Sequence, residues 1–354
     1  MFALALIIAL LMYLPQLMSW GFGFGGAQGG TLISKAVGET GLISVSFDGG
    51  QSFREADVRF AGSPNILKID TPDKTGGAFA ARTYYAGTDQ GLLMSKDDGL
   101  TWYAWSDLEK NIDATTAVYD FAYHPLDGSV YAAAEKSGYG VVFGSTDNFQ
   151  TAKIIWNEPD VTARSVAADT NFLYIGLSDG RVLRYAYFEK TFEKVHTFGN
   201  AVLTLTLQNG GRTIFAALDN GAVMVSDDFG NEWKDVRDGG SFSSFAGFSG
   251  RAVAFEPDKR NPAVLYVASV SEVFRSSNGG NSWSQLDTIL PDDARIAALA
   301  VDNGAIFVTS GGRLYESEDG GLTWKVQEPM PSDRRLGTLF VGNGGQVVMV
   351  GARK

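Results

Sequence analysis

The chain has 354 residues, of which 45% are hydrophobic and 19% charged, so it has enough apolar material for a packed core and is not disordered. Its formal net charge is −11 and no basic cluster is longer than the pair Arg334-Arg335, which excludes a nucleic-acid partner because a phosphate backbone would be repelled. Cysteine is absent, which excludes disulfides, thiolate zinc sites, a cysteine nucleophile and a lipoprotein anchor.

Residues 1–20 form an uncharged apolar segment whose length lies between that of a signal-peptide core and the roughly 20 residues that span a bilayer. Pro15 and Gln16 weaken the membrane-spanning interpretation, and Lys35 is the first basic residue, so the charge pattern sets no orientation. A secretory signal peptide and a retained membrane anchor stay open as alternatives. Both predict an extracytoplasmic protein, with residues 21–30 as a glycine-rich linker.

From residue 31 onward, short runs of β-forming residues alternate with turns. An eight-residue segment, which we call the octet, recurs with Ser at the first position, Asp or Asn at the third, Gly at the fifth and an aromatic residue at the eighth. Five copies are good and the third is degraded, with Phe149 at the Gly position and Ala152 at the aromatic position. The six copies are Ser46–Phe53, Ser95–Trp102, Ser145–Ala152, Ser226–Trp233, Ser276–Trp283 and Ser317–Trp324.

A seventh unit lacks the octet. Its strands Leu173–Tyr185 match those that precede the other copies, but Arg184 stands at the Ser position. The units start about 40 to 50 residues apart, which is the period of a radial propeller built from four-stranded blades. The sequence therefore predicts an all-β, seven-bladed β-propeller over residues 31–354, without the long helices that a barrel of alternating strands and helices needs.

The ring is predicted to be closed by N- and C-terminal strands. The run from Thr31 to Ser46 has the pattern of the second and third strands of a blade, and one C-terminal strand would complete that blade. The sequence leaves the other C-terminal strand without an assigned place.

We interpret the octet as a structural turn. The third-position Asp or Asn accepts backbone N–H groups, the fifth-position Gly takes a left-handed conformation, and the final aromatic, such as Trp324, packs as a wedge between sheets. Catalytic acids or calcium ligands are the alternative, but repeats placed around a ring do not converge on one substrate. The predicted structural residues are Asp48, Gly50, Phe53, Asp97, Gly99, Trp102, Asp147, Asp228, Gly230, Trp233, Asn278, Gly280, Trp283, Asp319, Gly321 and Trp324.

The octet resembles the Asp-box, or bacterial neuraminidase repeat. This repeat is found in sialidases, xyloglucan-hydrolysing glycosidases, sortilin-type receptors and the photosystem II stability and assembly factor family. The resemblance covers residues 31–354 and implies the propeller fold. It does not choose among the activities, because those families differ in function.

The residues argue against the enzymes among these relatives. Sialidases carry an Arg-Ile-Pro motif and an arginine triad, whereas only Arg54 and Arg59 lie near the first octet and neither is followed by Ile-Pro. The xyloglucan-cleaving relatives place two carboxylates between two propellers, and one ring of seven units provides no second propeller. The neighbouring acids Asp292 and Asp293 are interpreted as a solvated loop.

No metal, cofactor or catalytic residue is predicted. His124 and His196 are the only histidines, and they are interpreted as turn or surface residues. No phosphate-binding loop motif is present.

Two functions remain. The preferred one is a non-catalytic propeller that binds a protein or peptide, and the alternative is a divergent carbohydrate-active protein, either a glycosidase or a lectin. Tyr103, Trp105 and the stretch from Phe242 to Phe248 are candidate surface aromatics, with packing between blades as the competing interpretation. No ligand-binding residue is assigned.

Overall fold

Short apolar strands separated by Gly-, Asn- and Asp-containing turns form seven antiparallel sheets arranged as the blades of a ring. The structure, a computed structural model, describes residues 31–33, 42–72, 82–236, 254–258, 261, 263–287, 289–291, 295–302, 304–327, 335–342 and 347–353. The predicted leader and linker (1–30), the stretch from Phe242 to Phe248 and the pair Asp292-Asp293 lie outside this part. Within it, no helix has the length and apolar character needed to cross a membrane.

Each blade has four strands, and around the ring axis the first strands of neighbouring blades contact one another, except that blades 5 and 6 pack through Phe215 and Phe255 within the described residues. We number the blades by the chain order of their octets or octet-like units. From the axis to the rim the strands are, in blade 1, Arg335–Gly342, Val347–Arg353, Ile43–Ser46 and Arg54–Glu55; in blade 2, Ile66–Asp70, Tyr84–Thr88, Gly91–Ser95 and Thr101–Ser106; in blade 3, Thr116–Tyr123, Val130–Lys136, Tyr139–Ser145 and Lys153–Pro159; in blade 4, Ala163–Ala168, Phe172–Leu177, Arg181–Ala186 and Thr191–Thr197; in blade 5, Val202–Gln208, Thr213–Leu218, Val223–Ser226 and Lys234–Asp235; in blade 6, Ala254–Pro257, Leu265–Ala268, Val273–Ser276 and Ser284–Gln285; and in blade 7, Ile296–Asp302, Ala305–Ser310, Arg313–Ser317 and Lys325–Val326.

The core lies between the faces of adjacent blades. Successive residues of a strand point to opposite faces, so Tyr84 packs with Ile43 of blade 1 while Tyr85 packs with Val118 and Phe121 of blade 3. Because both faces are covered, the second strands are almost wholly apolar and buried, which explains their near-continuous hydrophobic sequences. The predicted seven-bladed all-β propeller is confirmed.

The closure of the ring differs in detail from the sequence-based expectation. Blade 1 takes two strands from each end of the chain, because Val347–Arg353 lies between Arg335–Gly342 and Ile43–Ser46. Thr31–Ile33 is not part of blade 1. It pairs antiparallel with Ala104–Ser106 at the rim of blade 2, where Asp57–Arg59 covers the rest of the same edge in parallel. Two C-terminal strands therefore close the ring, rather than one.

Candidate functional site

Each of the six octets forms the same hydrogen-bonded turn, which lies between the third and fourth strands of its blade. In each, the Ser hydroxyl donates to the third-position side chain at 2.7 to 3.0 Å. The same hydroxyl accepts the fifth-position N–H at 2.8 to 3.0 Å. The third-position oxygen in turn accepts the seventh-position N–H at 2.8 or 2.9 Å. These bonds satisfy the side chains inside their own turns.

The fourth and fifth positions of all six turns have positive φ. Space also favours glycine at the fifth position in blade 2, because a Cβ on Gly99 would lie 2.5 Å from the Cε of Met349 in blade 1 and that side chain would have to shift. Phe149 and Phe229 adopt this conformation without being glycine, at φ values of 60° and 64°. A bulky residue in the left-handed region is strained, and such backbone strain is concentrated at functional sites in proteins.

The octet aromatics pack against neighbouring sheets to different depths. Trp102 is 0% exposed and Trp283 5%, whereas Trp233, Trp324 and Phe53 are only partly buried. Each of the four tryptophans donates its Nε1–H to the fifth-position carbonyl of its own turn, at 2.8 to 3.2 Å. The side chain of Trp324 is therefore less deeply buried between the sheets than the sequence analysis predicted.

The degraded octet of blade 3 keeps the same turn. Ser145 and Asp147 make the full set of bonds although the Gly and the aromatic residue are missing. Phe149 is fully buried, and the missing indole is replaced from blade 2, because the Nε1–H of Trp105 donates to the Phe149 carbonyl at 3.0 Å. Trp105 is therefore a buried packing residue and not part of an exposed surface.

The octet carboxylates are held as anions. Hydrogen bonds from Thr323 and Ser317 lower the pKa of Asp319 from 3.8 to about 2, and those from Ser52 and Ser46 lower the pKa of Asp48 to about 2. A group with such a pKa is not a proton donor near neutral pH. The octets also lie in six different blades, so their carboxylates do not form one catalytic group.

Blade 4, which has no octet, carries a different turn between its third and fourth strands. Lys190 donates its N–H to the Ala186 carbonyl at 2.8 Å, and the turn holds Phe188 with 93% of its surface exposed. Arg184, at the Ser position, donates to the Phe229 carbonyl of the blade 5 octet at 3.1 Å and to Glu193 at 2.8 Å.

An open cleft of about 710 Å³ lies between this turn and the octet of blade 5. Its lining combines aromatic rings with a few polar groups, and one of the rings is the strained Phe229. The guanidinium of Arg184 lies over the ring of Phe172, 5.0 Å from its centroid, and the Tyr174 hydroxyl donates to the Phe229 carbonyl at 3.4 Å. The lining residues are Thr170, Asn171, Phe172, Arg184, Tyr187, Phe188, Glu189, Phe229 and Asn231.

Sequence reasoning did not identify any residue of this cleft as functional. The only signal was the break in the repeat at Arg184, which marks an altered turn but does not indicate that Phe188 is exposed or that Phe229 lies beside it.

Charged side chains also lie on the first strands of blades 2, 3 and 4, near the ring axis. Lys68 lies 3.3 Å from Asp120, whose charge raises the pKa of Lys68, and Asp120 also accepts the N–H of Val166 at 3.2 Å. Arg164 lies over the ring of Tyr119 at 4.6 Å. Asp120 is therefore engaged by a cation and a backbone donor, and burial raises its pKa.

The remaining candidate residues have local roles. His124 lies in a turn, where its Nδ1 is 3.0 Å from Asp127, and His196 packs against Phe198 and Trp233. Tyr103 is half-buried beneath the guanidinium of Arg59. Within the described residues no group of three or more His, Cys, Asp or Glu side chains is placed to hold a metal ion.

No protein-family model matches the chain. A curated relative, a xyloglucanase of Hypocrea jecorina (strain QM6a), is 25% identical over 287 residues, which cover 78% of this chain but only 31% of that enzyme. Two solved structures share the fold. YCF48 bound to D1 peptide superposes with a TM-score of 0.60 at 13% identity, covering 92% of this chain and all of that one. A GH74 enzyme of Niastella koreensis has a TM-score of 0.61 at 15% identity, covering 92% of this chain and 53% of that one.

Proposed function

We propose that this chain is a non-catalytic propeller that binds a protein or peptide, and that the cleft between blades 4 and 5 is its binding site. The observation that carries the proposal is Phe188, a large aromatic side chain with 93% of its surface exposed at the edge of an aromatic cleft. Exposed aromatic residues beside an apolar pocket are typical anchors of protein interfaces.

The composition of the cleft supports binding rather than hydrolysis. Glu189 is the one carboxylate among the nine residues that line it. A glycosidase needs two carboxyl groups about 5 to 10 Å apart. The cleft also has free hydrogen-bonding capacity for a backbone, because the side chains of Thr170 and Asn171 line it without a hydrogen bond to another described residue.

The solved propeller with a bound peptide supports the architecture of the proposal. That structure is of a ring of this fold with a bound peptide. The partner of the present chain is a separate question, since the likeness in sequence between the two is low.

A random library of displayed dodecamer peptides would test the proposal. We expect the folded chain to enrich peptides that bind it, and Phe188→Ser to weaken their binding about tenfold or more through loss of an aromatic anchor. Leu322→Ser is the matched control, because Leu322 is 80% exposed in the octet turn of blade 7 and lies outside the cleft. Failure to enrich any peptide, or equal losses in the two variants, would contradict the proposed site.

A xyloglucan-acting enzyme is the second candidate function, and the similarity to the xyloglucanase favours it. Incubation of the purified chain with xyloglucan, followed by measurement of new reducing ends, distinguishes the two candidates. We expect no release above that of the heat-denatured protein. Release that survives in Phe188→Ser would support the enzyme and place its site elsewhere in the ring.

We also propose that the ring works outside the cytoplasm, secreted or held at the membrane by residues 1–20. The support for this is the uncharged apolar character of that segment. A bacterial alkaline phosphatase fused after Lys354 becomes active only on export. We expect activity from the full chain and none when residues 1–20 are deleted, and equal activity from both would argue against the segment as an export signal.

A further inference from the structure

Two carboxylates have no cationic partner within the described part of the chain: Glu189, in the lining of the cleft, and Asp169, which precedes the lining residue Thr170. Asp169 is 6% exposed and accepts the N–H groups of Asn171 and Phe172 on Oδ1, at 2.6 and 2.8 Å. Its buried Oδ2 has no hydrogen-bond partner among the residues that the structure describes. Glu189 lines the cleft and forms no ion pair with a described residue.

The nearby cations do not cancel these charges. Arg184 is already paired with Glu193 at 2.8 Å and donates to the Phe229 carbonyl. Lys190 follows Glu189 in the turn but does not line the cleft. Burial and, after it, the charge of Asp169 raise the pKa of Tyr174, on the second strand of the blade, to about 12. The lining itself carries one cation, Arg184, and one carboxylate, Glu189; because Arg184 pairs with Glu193, Glu189 is the lining charge without an ionic partner among the described residues.

Aromatic rings surround the same space. Phe188, Phe229 and Tyr187 line the cleft, and the faces of such rings attract cations. Arg184 shows that a ring here accepts a guanidinium, since its own lies 5.0 Å from the centroid of Phe172. A buried carboxylate oxygen without a hydrogen bond, such as Oδ2 of Asp169, is costly, and the positive charge of a cation bound nearby would offset part of that cost.

We propose that the cleft receives an arginine or lysine side chain from an extended segment of a protein partner. The rings would hold the alkyl stem and the face of the charged group, while Glu189 and the field of Asp169 would select for its charge. This inference rests on the proposed peptide-binding function and names the chemistry of its ligand.

The peptides enriched from the dodecamer library test the inference directly. We expect arginine or lysine in the tightest-binding sequence, and replacement of that residue by citrulline or acetyl-lysine should weaken binding about tenfold, as loss of a cation–π contact and its ion pair predicts. A tight-binding dodecamer without a basic residue, or one that binds equally well after the replacement, would overturn the inference and leave peptide binding intact. A library that yields no binder would overturn the proposed function itself.

Variants of the cleft complete the test. Glu189→Gln should weaken the basic peptide several-fold, and Glu189→Lys should reverse the preference toward a peptide with glutamate at that position. Glu318→Gln is the matched control, because Glu318 is exposed in the octet turn of blade 7 and, among the described residues, its ionic partner is the exposed Lys325. Equal effects of Glu189→Gln and Glu318→Gln would show that the chain's overall charge, and not the cleft, selects the peptide. Thermal unfolding of each variant checks that the ring is intact.

Discussion

A single carboxylate organises each octet turn, and its ionisation links folding to pH. Asp319 has a pKa of about 2 in the folded chain against an ordinary value of 3.8. Because the folded value is the lower one, the stabilisation by its charge is complete above pH 3.8 and is lost as the pH falls toward 2. The turn with Asn278 keeps the same bonds through an amide, so the charge itself is dispensable.

We therefore expect Asp319→Asn to be mild at neutral pH, with the Asn amide donating to Thr323 as Asn278 does to Ser282. Any difference in unfolding free energy between wild type and variant should shrink between about pH 4 and pH 2, since the wild-type carboxylate is then increasingly protonated and, like the Asn amide, uncharged. Urea unfolding at a series of pH values measures this. A difference that grows toward acid pH would contradict the interpretation of Asp319 as a hydrogen-bonded anion.

The unfolding free energy lost when an octet tryptophan is replaced by alanine should depend on how deeply that tryptophan is buried. Trp102→Ala removes a side chain that is 0% exposed and should cost roughly 3 to 5 kcal/mol of unfolding free energy. Trp324→Ala should cost less, because Trp324 is only partly buried. Urea unfolding of the two variants at neutral pH compares them. Equal losses would mean that the local bond from Nε1, which both residues make, outweighs packing.

The contact between Trp105 and Phe149 can be tested with a smaller change. Trp105→Phe keeps an aromatic ring but removes the donor to the buried Phe149 carbonyl, which should cost about 1 to 3 kcal/mol. Trp324→Phe is the control, since its carbonyl partner lies in a more exposed turn. Both are measured by urea unfolding.

At the scale of the element, blade 1 depends on strands from both ends of the chain. A stop codon at Arg335 removes its two inner strands and leaves Ile43–Ser46 and Arg54–Glu55 without their antiparallel partners. Such a chain exposes the apolar faces of blades 7 and 2, and we expect aggregation or non-cooperative unfolding, as measured by size-exclusion chromatography and urea unfolding. A monomer that unfolds with the wild-type midpoint would show that the closure of blade 1 is not needed.

The strands and turns show how much of the fold could be predicted from the sequence. Turn residues and apolar runs repeat with the period of a blade, so the seven units and the octet turns were predictable. The membership of blade 1 was not predictable, because the pairing of Val347–Arg353 with Ile43–Ser46 joins residues about 300 positions apart and any similar strand fits the pattern. The cleft escaped prediction because the exposure of Phe188 depends on two adjacent blades.

At the scale of the whole molecule, the ring is closed without a covalent link. Ile43 pairs with Gly351 in antiparallel fashion, so the end of Val347–Arg353 lies beside the start of Ile43–Ser46. A permuted chain that joins Arg353 to Leu42 by a short Gly-rich turn, with new ends between Asp160 and Val161, should fold with a similar or higher melting temperature. Circular dichroism on heating measures this. A markedly lower melting temperature would indicate that the segment before Ile43 contributes to closure.

The bond from Trp105 to Phe149 also bears on how such a ring can change over time. Because blade 2 supplies the indole that the octet of blade 3 lacks, exchange of either blade alone would remove one partner of this bond. A duplication or deletion of blade 3 alone would leave Trp105 without its acceptor, whereas moving both blades together would carry the pair along. Blades 2 and 3 are therefore coupled through this bond, as blades 4 and 5 are through the bond from Arg184 to the Phe229 carbonyl.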